Sequence, residues 1–247
     1  MRPNLVTREP VRVSSYAAML YFGLLSGTYS AYLAGRAEGL AGTPLAAAIL
    51  SLLVAAVLGA RLAFVLGHWR MFRTQPRRIV PCGVEGGAVA YGALLSVPVS
   101  LPLLAALGLP LAAFWDASAF GFLAAIIFLR IGCLLNGCCC GRTTGSRLGW
   151  VVRDAAGVTA RRLPVQFWEA VWAASLLVGA MLVAGRMPVA GSLFASTLGA
   201  YAAGRFLLDF ARDAPRNRVG LTVGQSFSLI FVLFSLVFLS VGWWATS

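Results

Sequence analysis

The chain is 247 residues long, 60% hydrophobic and only 11% charged, with a mean hydropathy of +0.84, whereas a soluble domain carries about 25% charged residues. Its formal net charge is +12, and every one of its 20 basic residues is arginine. The composition excludes an ordinary water-soluble globule. The arginines lie in short segments between apolar runs with no recognition module, which excludes nucleic acid as the partner of that charge.

A GC-rich coding bias produces an arginine-only chain by itself. Guanidinium groups also pair bidentately with phosphate and adhere to anionic headgroups, so the charge suits a phospholipid and a membrane surface.

The N-terminus, MRPNLVTREPVRV, is polar and arginine-bearing, without the short apolar stretch and small-residue cleavage site of a removable signal peptide. Behind it the sequence predicts an all-α fold, a polytopic transmembrane helical bundle of about seven spans forming one integral membrane domain over residues 1–247. Crossing about 30 Å of hydrocarbon takes roughly 20 mostly apolar residues, and the helix is the form that satisfies their backbone in lipid. The runs are Ser15 to Ala34, Pro44 to Leu66, Gly86 to Leu107, Ser118 to Leu135, Val165 to Ala184, Gly191 to Leu208 and Gly224 to Trp244. Pro98 and Pro102 interrupt the helical pattern of the third.

With seven spans, the N-terminus and the long segments 68–85, 141–163 and 209–221 share one side of the membrane. They hold fifteen arginines, against Arg36 and Arg186 on the other side. By that count the N-terminus is cytoplasmic.

Three arginines lie inside apolar runs: Arg61 in the second, Arg130 in the fourth and Arg205 in the sixth. An arginine at mid-membrane costs about 2.5–3.5 kcal/mol on insertion scales, so it faces the protein interior with a partner or a task, or snorkels to the interface, an alternative open for Arg61. In the sixth span Tyr201, Arg205 and Asp209 recur every fourth residue and share one helix face. That line is either a functional face or an Arg205–Asp209 ion pair that helps a polar helix end insert.

The segment RIGCLLNGCCCGR, Arg130 to Arg142, is a helix end running into a glycine-rich loop. Gly132, Gly137 and Gly141 allow positive φ and close backbone approach, which an anionic headgroup site needs and a tight re-entrant turn uses equally. The fifth span opens LPVQFWEAV, with Pro164 pre-setting helical φ and Gln166 and Glu169 three apart on one face. Glu169 either joins the polar site or complements the helix macrodipole.

Four cysteines, Cys133, Cys138, Cys139 and Cys140, crowd the loop, and Cys82 precedes them. Three consecutive cysteines do not readily converge on one tetrahedral ion and the single histidine, His68, is remote in sequence, so no metal is expected. A disulfide, Cys133 with Cys138 or Cys82 with one of the run, and inert small hydrophobes both remain open.

Taken in order, these elements resemble the prolipoprotein diacylglyceryl transferase family, membrane enzymes that move a diacylglyceryl group from phosphatidylglycerol to the lipobox cysteine of a prolipoprotein. The matching elements are Tyr16, GARLAFVL with Arg61, Gly86-Gly87, RIG…NG…GR around Arg130, LPVQFWE with Gln166 and Glu169, AYAAGRFLLDFARD with Arg205, and VGQSFSL with Gln225. The resemblance implies that Arg130 and Arg205 hold the lipid phosphate as catalytic groups, with Tyr16, Tyr91 and Tyr201 as polar helpers. Arg61, Asn136, Gly137, Gly141, Arg142, Gln166, Glu169 and Asp209 are expected to complete the substrate site. The implied partners are phosphatidylglycerol and the prolipoprotein signal peptide, with no cofactor, in the bacterial plasma (inner) membrane.

Three departures stand out. The family's His-Gly-Gly is here Tyr91-Gly92-Ala93, its Gly-Asn-Phe is Gly132-Cys133-Leu134, and the Glu after Asn-Gly is Cys138. A tyrosine with its ordinary pKa near 10 is a poor base at neutral pH. The alternatives are a divergent member that uses the same lipid with another acceptor, and a non-catalytic phospholipid-binding protein. The resemblance also implies an outward-facing N-terminus, against the arginine count. The family orientation is adopted, because a phospholipid-binding loop has its own reason to be arginine-rich.

Overall fold

Apolar runs with no water to bond must pair their own backbone, and in this computed structural model they do so as helices. The structure describes residues 4–8, 11–74, 94, 96–153, 157–187, 189–213, 216–217 and 220–244. In chain order the elements are β1 (Asn4–Arg8), β2 (Val11–Ser14), α1 (Ser15–Ala37), α2 (Gly42–Gly67), α3 (Trp69–Thr74), α4 (Ser96–Ala106), α5 (Leu111–Asn136), β3 (Trp150–Arg153), β4 (Thr159–Arg162), α6 (Val165–Val183), α7 (Ser192–Asp209) and α8 (Val223–Trp244). They form two compact units, Gly39–Phe114 and Met1–Glu38 with Trp115–Ser247.

Among the described residues, four helices are long and apolar enough to cross a membrane: Gly42–Gly67, Leu111–Asn136, Val165–Val183 and Val223–Trp243. The expected fold class therefore holds as a mostly helical membrane protein, while the expectation of seven spans meets four by this measure. α1 falls outside the four because it carries Ser26, Thr28 and Ser30, and α7 because it carries Arg205 and Asp209. The hydroxyls of α1 bond back to their own helix, Ser26 Oγ to the Gly23 carbonyl at 3.2 Å and Thr28 Oγ1 to that of Leu24 at 2.8 Å. Of the expected third span, the described part contains the 11-residue α4 with Pro102 inside it. α8 presents Leu233, Leu236 and Val237 outward, more than half exposed. That apolar surface is costly in water and ordinary against acyl chains.

In the smaller unit, α4 lies against α2, and Leu45, Ala48 and Leu52 of α2 and Ser100 and Leu104 of α4 are buried.

In the larger unit, α1 and α5 cross at a stripe of small residues. Gly23, Gly27, Ala31 and Gly35 recur every fourth residue and are buried. A side chain on Gly27 would meet the Gly121 carbonyl at 2.8 Å, and one on Gly121 would meet the Gly27 carbonyl at 2.6 Å. Lipid supplies no hydrophobic drive between helices, so this close backbone approach and its dispersion contacts supply the association. Between α5, α6 and α7 the core is Leu123, Ala173, Ala180, Leu193 and Tyr201, with Phe122 and Trp172 packed on it.

α5 begins at Leu111, seven residues before its expected start, with the Phe114 amide bonding the Pro110 carbonyl at 3.0 Å. Asp116, a polar residue within this extension, has partners. Its carboxylate accepts the amides of Gly191 at 2.6 Å and Phe194 at 2.8 Å, at the start of α7. An acidic group from another helix thus caps α7, where the macrodipole favours it.

Small sheets occur where only helices and loops are expected. β1 pairs antiparallel with β2, and β3 with β4. Beyond β4, Thr144 donates its amide to the Arg161 carbonyl at 2.9 Å, Leu163 donates to Arg142 at 3.1 Å, and Arg142 donates to Ala211 at 2.9 Å. This ladder ties the loop after α5 to the entry of α6 and to the segment following α7.

Gly121→Leu should destabilise the protein by about 1–3 kcal/mol through overpacking at the α1–α5 crossing. Thermal unfolding in detergent reads this as an earlier transition, and an unchanged transition would contradict the close approach.

Candidate active site

The site is built around one carboxylate. Glu169 lies one turn into α6 and is 1% exposed. Its Oε1 is 2.9 Å from Arg130 Nη2 and 2.5 Å from Arg205 Nη1, and accepts the Tyr201 hydroxyl at 2.7 Å. Three helices, α5, α6 and α7, therefore meet at one oxygen. Charge on the trio is unequal, with two guanidinium groups to one carboxylate. The macrodipole role open for Glu169 is thus displaced by a direct double ion pair.

The four-residue spacing of α7 acts as expected up to Arg205. Tyr201 and Arg205 both turn to Glu169, and the Tyr201 ring stands edge-on to Phe122 of α5 with centroids 5.1 Å apart. Asp209, one turn further, is 2% exposed, pairs with Arg212 at 3.2 Å and accepts from the Thr222 hydroxyl. The recorded ion pair of Arg205 is with Glu169, in place of the Arg205–Asp209 pair open from spacing. Gln225, fully buried, accepts the Thr222 amide at 3.0 Å and so fixes the threonine that holds Asp209.

The loop after α5 begins with a left-handed cap. Gly137 has φ +70, the Cys138 amide bonds the Cys133 carbonyl at 3.1 Å, and the Gly137 amide bonds that of Leu134 at 3.3 Å. This is a Schellman motif, with Asn136 as C-cap and Gly137 supplying the left-handed residue at no steric cost. Gln166, 2% exposed, reaches across from α6 and donates to the Cys138 carbonyl at 2.6 Å. Gly141 makes its close approach to protein backbone. A side chain there would meet the Leu163 carbonyl at 2.5 Å. Arg142 enters the ladder through its backbone, and its Nε lies 3.5 Å from the Arg212 carbonyl.

Cys133, Cys138, Cys139 and Cys140 are free thiols in this structure. Hydrogen bonds from Cys133 and Cys138, with Arg212 and Arg130 near, hold the Cys139 thiol well below the usual range. Tyr16 packs its ring 3.6 Å from the position a side chain on Gly132 would take, and Arg130, Cys133, Cys138 and Cys139 act on its phenol electrostatically. Arg61 belongs to the smaller unit, where its guanidinium stands 5.6 Å from the Phe64 and Phe72 ring centroids. Tyr91, expected as a polar helper, lies outside the described residues, as do Cys82 and Gly86-Gly87.

Residues 3–241 match the family described as prolipoprotein diacylglyceryl transferase. The chain belongs to the prolipoprotein diacylglyceryl transferase family. It is thereby a membrane transferase of lipoprotein biosynthesis. It is 26% identical over 229 residues to phosphatidylglycerol–prolipoprotein diacylglyceryl transferase 2 of Clostridium perfringens, covering 90% of this chain and 88% of that one. The enzyme of the same name from Dehalococcoides mccartyi is 26% identical, with 79% of this chain and 75% of the relative covered. That of Tropheryma whipplei is 32% identical, with 70% and 68% covered.

Within this family member, sequence reasoning reached Arg130, Gln166, Glu169, Tyr201, Arg205 and Asp209, and the structure joins the first five to the Glu169 centre or its adjoining loop. It missed Asp116, Arg212 and Thr222. The i, i+3 spacing of Asp209 and Arg212 was a readable signal for one of them, while the Thr222 contact depends on α8 returning to α7.

Removing one partner from a buried ion network leaves uncompensated charge at a cost of about 3–5 kcal/mol. Glu169→Ala should destabilise by that order, leaving two guanidinium groups face to face. Tyr201→Phe should cost about 1.5–3 kcal/mol, a hydrogen bond to a charged acceptor. Thermal unfolding in detergent ranks the two, and a Glu169→Ala protein as stable as its parent would contradict the network.

Proposed function

We propose that this family member binds phosphatidylglycerol with Arg130 and Arg205 on the headgroup phosphate, and transfers the diacylglyceryl group to the lipobox cysteine thiol of a prolipoprotein. The observation that carries this reading is the convergence of both guanidinium groups on the single buried oxygen Glu169 Oε1.

The chemistry follows from charge. The acceptor thiolate attacks the glyceryl carbon that bears the phosphate, a C–S bond forms, the C–O bond breaks, and glycerol phosphate leaves with the bond electrons. Negative charge grows on the leaving phosphate, where preorganised guanidinium donors in a low dielectric are worth most. Glu169 and Tyr201 hold the two arginines in place before lipid arrives, so little reorganisation is left for the reaction. Two guanidinium groups meet one carboxylate here, a setting that favours an anionic headgroup. Arg130 Nε is buried with no hydrogen-bond acceptor among the described residues, a donor that a phosphate oxygen would satisfy.

Between α1 and α5 an apolar cleft of ≈ 130 Å³ is lined by Leu20, Gly23, Leu24, Phe122, Ala125, Ile126 and Leu129. A lining without polar side chains suits part of an acyl chain. In this reading α1 and α7 are further crossings, the N-terminus is outside, and the protein sits in the bacterial plasma membrane with no cofactor.

A second reading, the same lipid donor with a different acceptor, is favoured by Cys133 and Cys138 standing where the family carries Asn and Glu. Thiols bond a peptide or glycerol hydroxyl less well than those groups.

Arg130→Ala and Arg205→Ala should each lower turnover of labelled phosphatidylglycerol by about 10²–10³, the scale of losing one transition-state donor. The purified protein is assayed with a lipobox peptide. Unchanged turnover in both variants contradicts the phosphate assignment, while lipid consumption without peptide lipidation transfers support to the second acceptor.

A further inference from the structure

Spacing alone opposes a metal at Cys138-Cys139-Cys140, since three consecutive residues do not readily aim their side chains at one point. The fold groups the thiols differently. Cys133, on the last turn of α5, joins Cys138 and Cys139, and their three Sγ atoms all lie within 4.8 Å of one another. Cys140 turns away, its Sγ donating to the Gly137 carbonyl at 3.2 Å and receiving Gln166 Nε2 at 3.5 Å.

Several features hold this grouping together. The Schellman cap brings Cys138 back over Cys133, with Cys138 Sγ 3.7 Å from the Cys133 carbonyl. Cys139 then takes φ +59, the only positive φ at a non-glycine among the described residues. A side chain in that region costs on the order of 1–3 kcal/mol and persists only where its surroundings impose it. The clamp of Gln166 on the Cys138 carbonyl, at 2.6 Å, fixes the loop from the α6 side. Arg212 and Arg130 are the cationic neighbours acting on Cys139.

We propose that Cys133, Cys138 and Cys139 form a binding site for a thiophilic d10 ion, zinc(II) or copper(I). Three thiolates about 2.3 Å from one ion stand about 3.8–4.0 Å apart, within reach of small side-chain rotations from the observed grouping. Soft sulfur donors select these ions over magnesium or calcium. Each ligating thiol gives up its proton on binding, and Arg130 and Arg212 stand near enough to act on the resulting negative charge. The ion ties the end of α5, which carries Arg130, to the loop that follows. Cys139 is exposed, which gives the ion a path in.

The test uses the full chain in detergent, reduced with a phosphine and exposed in separate arms to zinc(II), to copper(I) without air, and to cobalt(II) as a coloured substitute for zinc. After desalting, metal analysis should find about one zinc or copper ion per chain, and cobalt should give a thiolate-to-metal charge-transfer band. Cys133→Ser and Cys139→Ser should each weaken retention by at least about tenfold, since even outer-shell changes cost 10–100-fold. Cys140→Ser should keep the band. Because Cys139 is exposed, its variant separates ligand loss from misfolding. No retained ion in the parent chain, retention unchanged in Cys139→Ser, or a quantitative Cys133–Cys138 disulfide in protein alkylated at harvest would each overturn the proposal.

Discussion

Two guanidinium groups repel each other, and in a lipid-embedded bundle there is little water to screen them. Their approach to one oxygen of Glu169, at 2.9 Å and 2.5 Å, is tenable because the carboxylate compensates one charge and Tyr201 adds a donor to the same acceptor. The rest of the larger unit is arranged so that α5, α6 and α7 deliver these four side chains to one point. An arginine that costs several kcal/mol to insert alone becomes tolerable when paired with a carboxylate. Two guanidinium groups face one carboxylate here.

The scaffold serves that convergence at both ends of the helices. Gly27 and Gly121 let α1 and α5 approach backbone to backbone. Asp116 of α5 caps α7 at Gly191 and Phe194, so the helix carrying Arg130 also anchors the start of the helix carrying Arg205. At the other end, the ladder from Thr144 through Leu163 and Arg142 to Ala211 joins the exits of α5 and α7 to the entry of α6. Gln166 and Glu169, three residues apart, divide the work of one helix face: the first holds the loop, the second holds the arginines.

Much of this was legible because lipid leaves few options for a polar side chain in an apolar run. Arg130, Arg205 and Tyr201 stood out on hydropathy and period alone, and the order of short motifs pointed to the family that the comparisons show. Glu169 was visible but ambiguous, since a carboxylate near a helix start has an ordinary electrostatic role. Its position as the shared acceptor depends on helices far apart in sequence. Gly141 was read for a headgroup, but its lack of a side chain is used by Leu163. The cysteines were read as one consecutive run, whereas the helix cap groups Cys133 with Cys138 and Cys139. The polar content of α1 and α7, which keeps them outside the four most apolar helices, is the same feature that equips α7 for the site.

The central claim is that Arg130 and Arg205 share one phosphate. An experimental structure with phosphatidylglycerol bound tests it most directly. The account predicts headgroup density with phosphate oxygens at hydrogen-bond distance, about 3 Å, from guanidinium nitrogens of both residues, and Glu169 still bridging them from behind. A phosphate held elsewhere, or by one of the two arginines with the other still turned wholly to Glu169, would contradict it.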